Sequence, residues 1–286
     1  MRICLFPAMV PLASAINAGD QYAPANPEWN RTIAPFRVVG NLYYVGAAGV
    51  SSYLITTPAG HFLLDAGFRE SAPIVEANIQ KLGFRVEDVR LLLISHGHYD
   101  HVGGVAAIKA RSGAALLANP AEAGLLSRGG KGDFAFGDKY PYPPVSTDRP
   151  LRDGEQVRLG GTVLTAHFTP GHTKGCTSWT TTIKEDARDY RVVIPCSVSA
   201  PGYQLVDNPK YPEIQKDFEA ALGKLRALPC NVFVGLHSWD FELAQKIKAR
   251  AADPSRNPFV DPEGYRRLLD RGQAAIRAQV EKQRGR

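Results

Sequence analysis

Three histidines and an aspartate fall within six residues, His96-Gly97-His98-Tyr99-Asp100-His101, directly after the apolar run Val89 to Ser95. Imidazole nitrogens and carboxylate oxygens are the ligands that hold zinc and related cations. In extended backbone, residues two apart point to the same side, so His96 and His98 can reach one ion together. Asp100 and His101, from the turn that follows, can reach a second ion beside it. The chemistry such a pair supports is hydrolysis by metal-activated water, with no need of a catalytic serine or cysteine. The chain has seven histidines. One alone is usually a hydrogen-bonded structural residue, but three beside an aspartate at a strand end are hard to place otherwise.

Two further histidines fit the same logic. Thr169-Pro170-Gly171-His172-Thr173 puts His172 in a tight turn after a predicted strand, and the run Val232 to Leu236 leads to His237. Both are expected as ligands. His61 and His167 fall inside predicted strands and read as structural. Asp65 follows Phe62-Leu63-Leu64 at another strand end. It reads either as an acceptor that orients a ligand histidine from behind, which metal sites usually require, or as a turn residue.

The elements that must carry these residues begin with short apolar runs at Phe36 to Val39, Leu42 to Val45, Ser52 to Thr56 and His61 to Leu64. Gly40-Asn41 and Pro58-Ala59-Gly60 separate them, which predicts an antiparallel meander. Helical spacing follows over Ser71 to Leu82 with Ser71 as N-cap, then a buried strand over Val89 to Ser95. A helix over His101 to Ser112, a strand over Ala114 to Ala118 and a short helix over Pro120 to Leu126 continue the alternation. Arg128 to Asp148 shows neither period and reads as a long loop. Strands at Gln156 to Leu159, Thr162 to His167, Thr177 to Ile183 and Tyr190 to Pro195 then precede a helix over Ile214 to Leu228 and a strand over Val232 to Leu236. A last helix covers Pro262 to Gln283. Two similar halves of strands, helix and strand predict one α/β domain over 19–286, a sandwich of two mixed sheets face to face with helices outside.

The N-terminus combines Arg2, the apolar run Ile3 to Leu12 and Ala13-Ser14-Ala15. That pattern reads as a signal peptide over about residues 1–18, against a buried first strand or helix, so the expected location is periplasmic or secreted. Residues 19 to 35 are polar and read as an extended arm. No other stretch approaches the roughly 20 apolar residues of a membrane helix, so no membrane contact is expected in the mature form. An oxidising compartment would let Cys176, Cys196 and Cys230 form one disulfide and leave one thiol, with Cys4 lost with the leader. The net charge of +6 is spread along the chain, densest over Arg266 to Arg286. No aromatic platform interleaves those charges, which argues against a nucleic-acid partner.

Taken with Leu64-Asp65-Ala66-Gly67, Gly171-His172-Thr173, Ser197-Val198-Ser199-Ala200-Pro201-Gly202-Tyr203 and His237, the His96 to His101 motif resembles the metallo-β-lactamase superfamily over nearly the whole mature chain. Within it, the Ser197 to Tyr203 segment resembles subclass B3 of the β-lactamases. The resemblance implies the αβ/βα sandwich and two Zn(2+) ions per chain. His96, His98 and His172 would hold the first, and Asp100, His101 and His237 the second. A metal-bound hydroxide, oriented by Asp100, would attack the lactam carbonyl of a small-molecule β-lactam, while Ser197 and Ser199 hold the substrate carboxylate. Hydrolysis of such antibiotics confers resistance.

Many relatives that act on thioesters, lactones or phosphodiesters carry a metal-bridging Asp where this chain has Cys196-Ser197, which argues against those substrates. Other lactamase subclasses place a zinc-binding cysteine near this point. Here Cys196 is expected to pair with Cys176 and tie two ligand-bearing segments together, leaving Cys230 without a partner. The aromatic loop Gly129 to Tyr142 reads equally as a cleft wall or as a segment pinned to the core. A lactone or small-ester hydrolase and a non-catalytic metal-binding protein of the same fold are the alternatives. The complete ligand set speaks against the second.

Overall fold

The structure, a computed structural model, describes residues 27–285; the expected leader, Cys4 and the first part of the polar arm lie outside the described residues. Strands β1 (Phe36–Val39), β2 (Leu42–Tyr44), β3 (Tyr53–Thr57) and β4 (Gly60–Leu64) form the expected antiparallel meander. Helix α1 (Ala72–Lys81) crosses over to β5 (Val89–Leu93), parallel to β4. Short helix α2 (Tyr99–Val102) and α3 (Val105–Ser112) lead to β6 (Ala115–Ala118), and α4 (Pro120–Ser127) and a long loop lead to β7 (Arg149–Pro150). The first sheet therefore has seven strands in chain order, antiparallel at one side and parallel at the other.

The second sheet repeats the plan. Strands β8 (Gln156–Leu159), β9 (Thr162–Phe168), β10 (Thr177–Glu185) and β11 (Arg188–Ile194) are antiparallel neighbours, and after α5 (Ile214–Ala227) β12 (Val232–Phe233) joins parallel to β11. Helices α6 (Leu243–Ala252) and α7 (Pro262–Arg284) complete the described chain. None of its helices is long and apolar enough to cross a membrane.

The period of two explains the layers. In β3 to β6, Tyr53, Ile55, Phe62, Leu64, Leu93 and Leu117 point into a core shared with Leu164, Ala166, Trp179 and Ile194 of the second sheet. Their neighbours Leu54, Leu63, Leu92 and Leu116 point the other way and pack on Val75, Ile79, Val105 and Ile108 of the outer helices. Each strand thus buries both faces, the condition for a sandwich with helices outside. Trp179 Nε1 donates across the interface to the Ile94 carbonyl at 3.1 Å.

Four details differ from expectation. The strand before the histidine motif stops at Leu93, and Asp100 and His101 sit on α2 rather than in a turn. The helix expected over His101 to Ser112 breaks at Gly103-Gly104. There a Cβ would lie 2.4 Å from Arg69 N or from Ala66 O, so the passing backbone of 66–69 requires glycine. Strand β12 is only two residues long, which leaves His237 on a loop held by Ser51 N to Leu236 O and Ser238 N to Gly49 O. Ser71 stands at the N-cap of α1 without capping it, because its hydroxyl accepts from Phe68 N and donates to Asn30.

Cys176 and Cys196 are bonded, with Cα atoms 5.9 Å apart, and Cys230 is free. The link closes a separation of 20 residues, for which chain entropy alone gives about 3 kcal/mol.

Candidate metal centre

Three segments bring the six candidate ligands together. His96 and His98 lie in the irregular stretch between β5 and α2, Asp100 and His101 on α2, His172 in the turn between β9 and β10, and His237 beyond β12. All are buried except His237, which is half-buried. One ligand atom each from His96, His98 and His172 lie within 4.8 Å of one another, and the same holds for His96, Asp100 and His101. His237 Nε2 closes the second group, 3.4 Å from His101 Nε2 and 3.7 Å from Asp100 Oδ2.

Hydrogen bonds behind the rings fix which nitrogen faces inward. His172 Nδ1 lies 2.7 Å from the Ser199 carbonyl. A carbonyl only accepts, so Nδ1 carries the proton and Nε2 turns a lone pair toward His98 Nδ1, 3.1 Å away. The Ser95 hydroxyl donates to Asp65 Oδ2 at 2.6 Å and stands 3.0 Å from His96 Nδ1. Its proton being committed to the carboxylate, it accepts from His96 Nδ1–H and leaves His96 Nε2 free. That Nε2 is buried without a partner. Asp65 also faces His101 Nδ1 at 3.3 Å, so one carboxylate lies behind a member of each group. The outer-acceptor reading of Asp65 fits this placement, and its φ of 57° shows that it also makes the turn.

Ring nitrogens face each other at 3.1 and 3.4 Å, close enough for two neutral rings to share one N–H or for a cation to take both lone pairs in its place. Three of the rings disfavour a second proton, which would block a ligand lone pair. Burial holds His96 well below its ordinary value, lowers His237, and pushes His172 down to about 3. Burial would also lower His101, but the carboxylates of Asp100, Asp65 and Asp240 outweigh it and hold it raised. Burial pushes Asp100 up, yet the fields of His101, His237 and His98 keep it low and charged. Three nitrogens in one group, and two nitrogens with a carboxylate in the other, fit a pair of zinc ions.

These shifts predict acid sensitivity of the cation-free protein. An unfolded histidine binds its proton below about 6.5, whereas native His172 does so only near 3. In that window the unfolded state holds more protons, so stability falls as pH falls, by about 2 kcal/mol at pH 5 for one such group. His96 and His237 act in the same direction and His101 against it. The melting temperature after chelation should drop between pH 7 and pH 5; a constant or rising value would contradict the neutral, buried imidazoles.

Several contributors escaped the sequence reading. Asp133, held by the N–H groups of Ala135 and Phe136, faces His98 Nε2 at 3.5 Å. Glu122 is buried, accepts from Gly175 N at 2.9 Å and from the Thr173 hydroxyl, and occupies the space where a Cβ on Gly97 would stand. It joins the His96–His98 stretch to the His172 turn. Trp239 lies parallel to His237 with ring centres 4.3 Å apart, and Trp29 meets both rings. Tyr203 is buried 5.7 Å from the His172 ring with its hydroxyl unpartnered. The aromatic loop is pinned to the core and also reaches His98. Tyr142 pins it through a bond to the Gly97 carbonyl at 2.7 Å and Phe134 packs on Tyr203 and Tyr211, while Phe136 faces His98 at 5.0 Å. Ser197 and Ser199 stand with hydroxyls 2.9 Å apart at the surface.

The family profile described as the metallo-beta-lactamase superfamily matches residues 45–235. Among solved structures, FEZ-1 metallo-beta-lactamase from Legionella gormanii is 39% identical with a TM-score of 0.87, covering 89% of this chain and 98% of that one. BJP-1 of Bradyrhizobium japonicum, a subclass B3 metallo-beta-lactamase, is 36% identical with a TM-score of 0.84, covering 90% and 97%. A Cronobacter sakazakii metallo-beta-lactamase named for a HARLDQ motif is 40% identical with a TM-score of 0.87, covering 90% and 98%. This chain reads HGHYDH at 96–101. A curated relative, a hydroxyacylglutathione hydrolase of Methylobacterium nodulans, is 34% identical over 36% of this chain and 32% of its own length. The chain thus spans about a third of that relative.

Proposed function

This chain belongs to the metallo-beta-lactamase superfamily, and we propose that within it the protein is a zinc-dependent hydrolase of the β-lactam amide bond, of the subclass B3 kind. The observation that carries the reading is the pair of adjoining ligand groups, with ring nitrogens converging at 3.1 and 3.4 Å, set in a chain whose B3 relative matches over its whole domain. The hydroxyacylglutathione hydrolases match only a part of the chain, and Cys196-Ser197 stands where thioesterases of the fold carry a bridging carboxylate.

In this proposal His96, His98 and His172 hold one zinc ion and Asp100, His101 and His237 the other. Zinc, when bound, supplies Lewis acidity toward a carbonyl oxygen and acidifies water to a pKa of about 7. The charged Asp100 carboxylate accepts a hydrogen bond from the attacking water and so orients it. The half-buried Ser197 and exposed Ser199, beside the first group of ligands, donate to the substrate carboxylate. The unpartnered Tyr203 hydroxyl, buried beside His172, donates toward the carbonyl oxygen as charge develops on it. Export and removal of the leader belong to the same proposal, and the Cys176–Cys196 bond supports it because such bonds persist in oxidising compartments.

The test is a side-by-side assay of zinc-loaded protein on nitrocefin, a carbapenem, an acyl-homoserine lactone and a hydroxyacyl-glutathione thioester. Turnover of the first two should exceed that of the others by at least about 100-fold in kcat/KM. The reverse order would assign the site to the lactone or thioester.

A further inference from the structure

A further hollow lies beside the two ligand groups. A cavity of about 420 Å³ opens between segment 195–202, the loop after His237 and α7, within the size range of small-molecule sites. Two of its lining residues touch the metal centre directly. Trp239 lies parallel to the His237 imidazole, at an interplanar angle of 7°, yet remains 49% exposed. Ser199 accepts from His172 through its carbonyl and, with Ser197, lines the cavity. The far wall is α7, drawn close at Gly272, where a Cβ would lie 2.6 Å from Val198 Cγ2. It contributes Ile276 as apolar surface and Arg271 as the cationic group. Arg271 makes one long hydrogen bond, 3.3 Å to the Asp240 carbonyl, and among the described residues it forms no ion pair, although its charge acts on the Asp240 carboxyl, which also lines the cavity.

A half-exposed indole, a pair of serines and a guanidinium without an ion-pair partner, grouped round a part-apolar cavity that Asp240 also lines, match an acidic group joined to a flat ring. The serines that suit a substrate carboxylate line this cavity, whereas the His98 side of the cleft offers the apolar wall of Phe136. We propose that the cavity is the subsite for the substituent on the carboxylate-bearing ring of the substrate, stacking a planar heteroaryl group on Trp239 and pairing its acidic group with Arg271. This rests on the β-lactamase reading. The acyl side chain then lies toward Phe136.

Two cephalosporins with the same acyl group test it, one carrying a methyl and the other an acidic heteroaryl-thiomethyl group on the six-membered ring. In Arg271→Gln and in Trp239→Leu the kcat/KM ratio of the heteroaryl to the methyl compound should fall about five- to tenfold, through KM. An unchanged ratio, or a change confined to kcat, overturns the proposal. Calorimetric titration of the zinc-loaded protein with 2-naphthoate and 2-naphthol gives a readout that needs no turnover. Naphthoate affinity should fall about fivefold or more in both variants, and naphthol affinity only in Trp239→Leu. Should neither cephalosporin be hydrolysed while the naphthoate pattern holds, the β-lactam reading falls and the ligand class of the cavity stands. Naphthoate affinity unaffected by Arg271→Gln refutes the subsite itself.

Discussion

Chelation of the zinc-loaded protein with 1,10-phenanthroline is expected to cut nitrocefin turnover by at least about 10³-fold, with full recovery on addition of two equivalents of zinc. No side chain in the cleft offers a substitute. Ser197 and Ser199 bond to each other rather than to a histidine, so neither is activated as a nucleophile. Cys196 is tied into a disulfide. Stability should follow the metal, because an ion that binds only the native state stabilises it by RT ln(1 + [L]/Kd), about 4 kcal/mol at a thousandfold excess over Kd. Turnover assays and melting curves on the same samples check both. Activity that survives chelation, or that returns fully with one equivalent, would sink the two-ion site.

Why so much of this centre was readable follows from where the ligands sit. Strands alternate and turns carry glycine, so β1 to β6 and β8 to β11 announce themselves by period, and the histidine cluster announces itself by composition. What sequence could not supply was the partner of each element. Helices α2 and α3 look like one helix until Gly103 and Gly104 are seen against the backbone of 66–69. Helix α6 went unread because Leu-Ala-Gln-Lys-Ile-Lys-Ala-Arg-Ala-Ala buries little beyond Leu243 and Lys246, the latter paired with Asp261. Asp133 and Glu122 belong to segments remote in sequence from His98 and His172, and a lone acid in a loop or on a short helix has no period to mark it. The same holds for Trp239, whose role depends on lying flat against a ring two residues away. Single polar residues that orient ligands are thus a tertiary property, whereas the ligands themselves cluster.

Asp65 gives the sharpest test of that distinction, since it was legible as a strand-end acid but not as a link between both ligand groups. It accepts from Ser95 N at 2.7 Å and from the Ser95 hydroxyl, which in turn orients His96, and it faces His101 Nδ1. Asp65→Ala should cost on the order of 3 kcal/mol of stability, because it strands the buried Ser95 N–H and puts a β-carbon without a compensating side chain in the left-handed region. Asp65→Asn separates turn from orientation. Asparagine tolerates the same backbone and still accepts from Ser95, so folding should be largely kept. Its neutral amide no longer supports the ring nitrogens of His96 and His101 as ligands, and zinc affinity should fall about 10- to 100-fold. Competition with a chromophoric chelator measures it. Undiminished affinity in a folded Asp65→Asn protein would reduce Asp65 to a turn residue and leave the alignment of His96 and His101 to packing alone.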